Sequence, residues 1–200
     1  MLPNEIVSEV LQITKRPDKV DAVYRELNKA IRKLSTSTEL ARDLWEFVYD
    51  LPDPQALVHT IPLEDLVQNF RKFCYILPVG YRKPLKLITP DSMFDVDCRE
   101  SLDSYYVNGY AVRVSLSRPQ PALKIGYFEY PIKVDRVSDY PAGDAYPWLC
   151  DIAEYVLVDY VAAAIFRNIG DDTSAQAHEA DARIAWESLK QDIHWGGLPQ

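Results

Sequence analysis

The chain of 200 residues is long enough for one domain or two small ones, and its 48% apolar and 26% charged residues are typical of a soluble globular protein. That composition excludes fibrous, low-complexity and disordered classes. The net charge is −8, and residues 141–200 alone carry ten acidic and three basic side chains. Because this excess has the wrong sign for neutralising phosphates, tight binding to a DNA duplex is not expected.

The cysteines and the apolar runs indicate the compartment. Cys74, Cys98 and Cys150 are odd in number and widely spaced, which fits neither a disulfide framework nor a clustered metal site. We therefore expect a reducing compartment. The sequence does not begin with a basic stretch and an apolar leader, and Asp159 interrupts the longest apolar run, residues 155–166. Neither secretion by that route nor a membrane span is expected.

The first 36 residues predict two helices. Apolar residues within 4–13 have helical spacing, and Pro17 followed by Asp18 is typical of the start of a second helix. The second helix carries an apolar stripe that continues to about Ser35. The stripe consists of Val20, Tyr24, Leu27, Ile31 and Leu34. This helix is also basic, which predicts a face for an acidic partner or a neighbouring subunit.

The middle of the chain predicts strands. Alternation over residues 42–51 indicates a strand with Trp45, Phe47 and Tyr49 on one side. Extended segments are predicted at residues 56–61, 73–77, 85–88 and 122–130, with a short helix at 63–70 and a loop at 78–84. Asn108-Gly109 predicts a two-residue type I′ turn of a hairpin over residues 105–116. We assign Trp45, Phe47, Tyr127 and Phe128 to the core.

The last third predicts two more helices after a loop at residues 131–147. Pro147 opens a helix to about Ile169, Gly170 caps it, and Asp171 begins a final helix with an apolar stripe. Residues 155–166 are apolar on nearly all sides of the predicted helix. We expect this apolar surface to be larger than a single chain can cover, so the segment predicts contact between subunits. The predicted interface residues are Tyr155, Val158, Ala162 and Phe166.

These elements predict an α+β protein in which helices from both chain ends pack together, with a β-rich module in the middle. Residues 1–36 and 147–193 would form the helical core, residues 37–146 the β-rich module, and residues 195–200 an extended tail. In that tail Trp195 and Leu198 flank two glycines, which predicts a docking arm that becomes ordered on a partner.

No catalytic residue, metal site or cofactor is predicted. His59 lies on a predicted strand, His178 on the solvent side of the last helix, and His194 at its end, so no two share ligand spacing. Pairing Cys74 or Cys98 with His59 has no local signature to support it. Asp95-Val96-Asp97 lacks the rest of a calcium loop, and phosphate-binding glycine motifs are missing.

The order of these blocks resembles the head-to-tail adaptor (connector) proteins of tailed bacteriophages, over nearly the whole chain. The resemblance rests on Thr14-Lys15-Arg16-Pro17-Asp18, Arg42-Asp43-Leu44, Asn69-Phe70-Arg71-Lys72-Phe73, Ile88-Thr89-Pro90-Asp91, Ile125-Gly126-Tyr127-Phe128-Glu129-Tyr130-Pro131, Tyr146-Pro147 and Ile169-Gly170-Asp171-Asp172. These segments are signals of turns and element boundaries, and they are not catalytic motifs.

The resemblance implies a structural virion protein that forms a homo-oligomeric, typically dodecameric, ring between the portal protein and the tail or nozzle. It implies a virion location after assembly in the host cytoplasm, DNA that passes through without specific binding, and a C-terminal segment that reaches the portal. Two alternatives stay open. One is another tail-completion or baseplate component, and the other is a ligand-binding or hydrolytic α+β protein built around the β-rich middle.

Overall fold

The computed structural model describes residues 1–66, 69–89, 102–136 and 147–194, and the chain forms two compact units. The first contains residues 1–41 and the chain from residue 131 onward, and the second contains residues 42–130. The fold is α+β, with helices from both chain ends in one unit and a sheet-rich middle, as the sequence predicts.

The helical unit contains five α-helices among its described residues. They are α1 (Pro3–Thr14), α2 (Val20–Ser37), α3 (Leu149–Ile152), α4 (Glu154–Asn168) and α5 (Asp172–His194), with a 3₁₀ turn at Pro17–Lys19 before α2. The single helix predicted from residue 147 to 169 is therefore divided at Ala153, whose φ of −117° and ψ of 28° are not helical. The backbone N–H of Ala153 still donates to Leu149 (2.9 Å), so the break leaves this buried donor paired.

Helix α4 is the centre of this unit. It packs against α1, α2 and α5 of the same chain, and its buried residues lie on several sides of the helix. These residues are Val156, Leu157, Val158, Val161, Ala162, Ala163 and Ile165. Helices from the beginning and the end of the sequence therefore cover most of residues 155–166 within one chain, contrary to the expectation, and Tyr155 stays exposed.

The boundary between α4 and α5 follows the predicted signals. Gly170 adopts a φ of +83°, a left-handed conformation that a residue with a side chain resists. The Asp171 carboxylate then accepts bonds from the Ser174 hydroxyl (2.6 Å) and backbone N–H (3.1 Å), which lower the pKa of Asp171. This cap satisfies a backbone donor at the start of α5.

The β unit contains two sheets. Its strands are β1 (Leu44–Asp50), β2 (Val58–Pro62), β3 (Phe70–Pro78), β4 (Lys86–Leu87), β5 (Ser104–Asn108), β6 (Ala111–Ser115) and β7 (Ala122–Glu129). One sheet has the order β1-β7-β3 and the other β2-β6-β5-β4, and every pairing is antiparallel except that of β4 with β5. Buried residues of both sheets, including Ile61, Val112, Leu123 and Ile125, form one core.

The structure differs from the predicted short helix and from the predicted burial of Trp45. Within the described part of residues 63–70 the helix is a 3₁₀ turn at Leu63–Asp65, and Phe70 already pairs with Glu129 as the first residue of β3. Trp45 is 57% exposed although it was assigned to the core, since it lies on β1, the outer strand of its sheet. Tyr127 and Phe128 are buried as predicted.

The predicted hairpin is β5–β6, but its turn lies one residue later. Asn108 pairs with Ala111, which leaves Gly109 and Tyr110 as the two-residue loop. Gly109 has a φ of +60°, and Tyr110 is not among the described residues with positive φ. Positive φ at the first loop position alone is typical of a type II′ turn and not of the predicted type I′ turn.

We expect Gly109→Val to destabilise the β unit by about 1 to 3 kcal/mol, because a β-branched residue resists positive φ. Urea denaturation of the variant measures this loss. Gly109→Asn is the matched control, since asparagine tolerates the left-handed region better and should cost less. Equal stability of the valine variant and the parent protein would contradict the assigned turn.

Candidate interaction surfaces

The side chains of His59 and His178 belong to different units, and each has a partner within its own unit. His59 is buried on β2, and its Nε2 lies 3.0 Å from the carbonyl oxygen of Ala56. His194 is the last residue of α5. Within residues 1–66, 69–89, 102–136 and 147–194, no cluster of three or more histidine, cysteine or acidic side chains could hold a metal ion. His59 therefore has the geometry of a core histidine.

The sequence predicted that His178 faces solvent, but the structure places it between two helices. It lies in the seam between α4 and α5, where Nδ1 is 2.8 Å from Oδ1 of Asp159 and the ring stacks on Phe166 at 5.4 Å between centroids. No described serine, threonine or cysteine hydrogen-bonds to His178. The His178 imidazole therefore joins α4 and α5.

The two described cysteines lie in different environments. Cys150 is fully buried in the helical core, and this burial raises the pKa of its thiol to about 12. Cys74 is exposed on β3. Cys98 and the Asp95-Val96-Asp97 motif lie outside the described residues. The thiolate form needed for nucleophilic attack is therefore strongly disfavoured at Cys150.

Contacts made by charged side chains join α4 to α5 and to α2. The guanidinium of Arg167 on α4 lies 2.6 Å from the carboxylate of Glu179 on α5, and this bond lowers the pKa of Glu179. The ammonium of Lys33 on α2 lies 4.7 Å from the ring centroid of Tyr160 on α4. These contacts lie between neighbouring helices, so we interpret them as stabilising the packing of the helices.

The basic face of α2 is a surface feature. Arg25, Lys29 and Arg32 are exposed and lie at positions i, i+4 and i+7, which places them on one side of the helix. Glu26 partly offsets them, since its carboxylate lies 2.8 Å from Lys29 Nζ. The predicted basic helix thus presents a cationic stripe, defined here as Arg25, Lys29 and Arg32.

The four predicted interface residues have different surroundings. Val158 and Ala162 are buried inside the helical unit, and Phe166 is half-buried against His178. Tyr155 is 67% exposed near the start of α4. Of the four, Tyr155 is the side chain open to a partner in the folded chain. The predicted docking residues Trp195 and Leu198 lie outside the described residues.

A polar network crosses the outer face of the three-stranded sheet. Glu46 on β1 accepts hydrogen bonds from Lys124 on β7 (2.8 Å) and from the hydroxyl of Tyr75 on β3, and these bonds lower the pKa of Glu46. The Tyr75 ring lies over Gly126, where an added Cβ would be 2.5 Å from Cε1 of the ring. Gly126 is therefore the position that lets Tyr75 reach across the sheet.

We expect Gly126→Ala to displace the Tyr75 ring and cost about 1 to 3 kcal/mol of folding free energy, as in other overpacked sites. Urea unfolding of Gly126→Ala, Tyr75→Ala and the double variant gives the coupling between the two positions. In a chain that already carries Tyr75→Ala, Gly126→Ala should lower the free energy of unfolding only slightly. Additive effects of the two substitutions would show that the ring does not depend on the glycine.

Comparison with known proteins gives no family assignment. No protein-family model matches the chain, and no curated protein matches it significantly. In the described part of the chain, no helix is both long enough and apolar enough to cross a membrane.

Proposed function

We propose that this protein is a structural head-to-tail adaptor of a tailed bacteriophage, which forms a ring between the portal and the tail. The observation that carries the proposal is the division of one chain into two units, each with its own core. Two separate units offer separate surfaces for two different partners, which is what a connecting ring requires.

The sequence resemblance supports the same proposal. The blocks that carry it include element boundaries: Pro17 begins the 3₁₀ turn before α2, Leu44 begins β1, and Gly170-Asp171 separates α4 from α5. The proposed location is the virion neck, reached by assembly in the host cytoplasm. The proposed partners are further copies of the chain, the portal protein and a tail or nozzle protein.

Charge supports passage of DNA through the proposed ring without specific binding. The chain has a net charge of −8, the same sign as DNA. DNA binds a basic surface because its counterions are released, and an acidic channel wall does not provide that driving force. The cationic stripe on α2 is then assigned to an acidic partner or a neighbouring subunit. Tyr155 is the proposed subunit contact on α4.

The proposal makes the protein a non-enzymatic component, and a genetic experiment tests it. A nonsense codon in the gene of the source phage should give DNA-filled heads that carry a portal but no ring below it and no attached tail. A suppressor host restores the full-length chain and serves as the control. Heads that carry the ring but lack a finished tail would instead favour a tail-completion component, and normal virions would refute the adaptor function.

A further inference from the structure

The tip of the β5–β6 hairpin places an asparagine directly before a glycine. Asn108 is the last residue of β5, and Gly109 is the first residue of the two-residue loop. Both residues are exposed. The sequence has five asparagines, and each of the other four is followed by a residue that carries a side chain. Asparagine is one of the thermolabile residues of proteins, so its reactivity at this position needs to be considered.

The side-chain amide of Asn108 is not held in place. No hydrogen bond joins this amide to another described residue. By contrast, the amide of Asn28 donates to the carbonyl of Val134 (2.8 Å). In the same way, Oδ1 of Asn4 accepts a bond from the N–H of Glu5 (3.1 Å). The Asn108 amide is therefore able to turn towards its own backbone.

The backbone nitrogen of Gly109 is accessible as well. Its N–H donates no hydrogen bond to any residue in the described part of the chain. A Cβ built on Gly109 would have nothing within 4 Å, so the space around this residue is open. Because glycine has no Cβ of its own, its nitrogen can approach the preceding side chain more closely than that of any other residue.

The strand ladder ends at this asparagine. The pair of Asn108 and Ala111 is the last pair of the hairpin, and the chain beyond it only turns. Terminal pairs and loop tips open more readily than the interior of a sheet. Opening of this one pair would free the Asn108 backbone to bring the side-chain carbon Cγ to the nitrogen of Gly109.

We propose that Asn108 is a site at which the chain modifies itself by deamidation. A base removes the proton from the Gly109 nitrogen, and this nitrogen forms a bond to Cγ of Asn108. The bond between Cγ and the side-chain nitrogen then breaks, and the side-chain nitrogen takes a proton from water and leaves as ammonia. The product is a five-membered cyclic imide that contains the Gly109 nitrogen.

One water molecule completes the reaction by opening the imide at either of its two C–N bonds. Cleavage of the bond to Cγ gives aspartate on the original backbone. Cleavage of the other bond gives isoaspartate, in which the chain runs through Cγ. The net change is the addition of one water and the loss of one ammonia. Either product carries a carboxylate at neutral pH where Asn108 had a neutral amide.

The isoaspartate product changes the hairpin as well as its charge. A chain that runs through Cγ has one more backbone atom, so the pair of residue 108 with Ala111 and the two-residue loop lose their register. The carbonyl of Tyr110 accepts a bond from the N–H of Leu63 (2.7 Å), and displacement of the loop would break this bond. Deamidation would therefore loosen the hairpin tip. The inference concerns the β unit alone and does not depend on the proposed adaptor function.

Ageing of the purified full chain tests the proposal. The protein is kept at mildly alkaline pH, sampled over time and digested, and mass spectrometry of the peptides distinguishes each asparagine from its acidic product. Asn168 is the matched control in the same molecule, because it is also exposed but is followed by the branched side chain of Ile169. We expect Asn108 to convert at least tenfold faster than Asn168, with isoaspartate among the products.

The variant Asn108→Gln separates deamidation at this site from other changes during ageing. Glutamine keeps a side-chain amide, but its longer side chain closes the ring far more slowly, so the acidic product should not accumulate. Hydrogen exchange at the Leu63 amide should become faster as the parent protein ages and stay constant in Asn108→Gln. Equal conversion of Asn108 and Asn168 would overturn the proposal, as would an Asn108 that keeps its amide. Unchanged exchange at Leu63 after conversion would refute the loosening of the tip.

Discussion

Val158→Asp should unfold the helical unit or destabilise it by more than about 4 kcal/mol, because it places an unpaired carboxylate in a closed apolar core. Val158 is buried on α4, the helix that contacts α1, α2 and α5. Circular dichroism and thermal melting of the purified variant measure the loss. Since the core is completed within one chain, the loss should appear at any protein concentration.

Tyr155→Asp is the matched control on the same helix. Tyr155 is largely exposed, so its replacement should leave the melting temperature within a few degrees of the parent value and act only on assembly. A folded Val158→Asp variant with a defect in assembly alone would contradict the assignment of Val158 to the core of the chain. A Tyr155→Asp variant that assembles normally would remove Tyr155 from the proposed subunit contact.

Deletion of residues 195–200 should abolish docking to the portal while the rest of the chain stays folded. Trp195 and Leu198 are large apolar groups beside Gly196-Gly197, and ordering two glycines is costly unless a partner fixes them. Truncating a buried interface tryptophan typically costs more than about 2 kcal/mol, over tenfold in affinity, and the effect multiplies around a ring.

Portal binding by the truncated chain, the parent protein and a Trp195→Ala variant is compared by sedimentation. The single substitution should reproduce most of the loss, and melting temperatures should be equal in all three proteins. Undiminished binding with an intact fold would mean that residues 195–200 do not dock and that the contact lies on the helices.

The sequence predicted the elements whose signals are local. The apolar spacing of α2, the prolines and glycine at helix boundaries, and the alternation of β7 all depend on neighbouring residues, and the structure has these elements close to the predicted bounds. The hairpin was predicted as well, but its turn shifted by one residue because the pairing of Asn108 with Ala111 sets the register.

The remaining features depend on which elements meet in space. Periodicity indicates that Val158 is buried but not that α1 and α2, more than 100 residues away, provide the cover. Alternation places Trp45 on the core side of β1 but does not show that β1 is an outer strand. His178 looked exposed because its partners, Asp159 and Phe166, lie on a different helix.

The mass of the purified protein, alone and mixed with its portal, would show whether the chain joins a portal to a tail. Native mass spectrometry of the mixture should show the portal plus one closed ring of 22.9 kDa chains, typically twelve by the resemblance. The two proteins should also co-elute in size-exclusion chromatography at high dilution. A mixture that contains only free portal and free chain, with both proteins folded, would contradict the adaptor function.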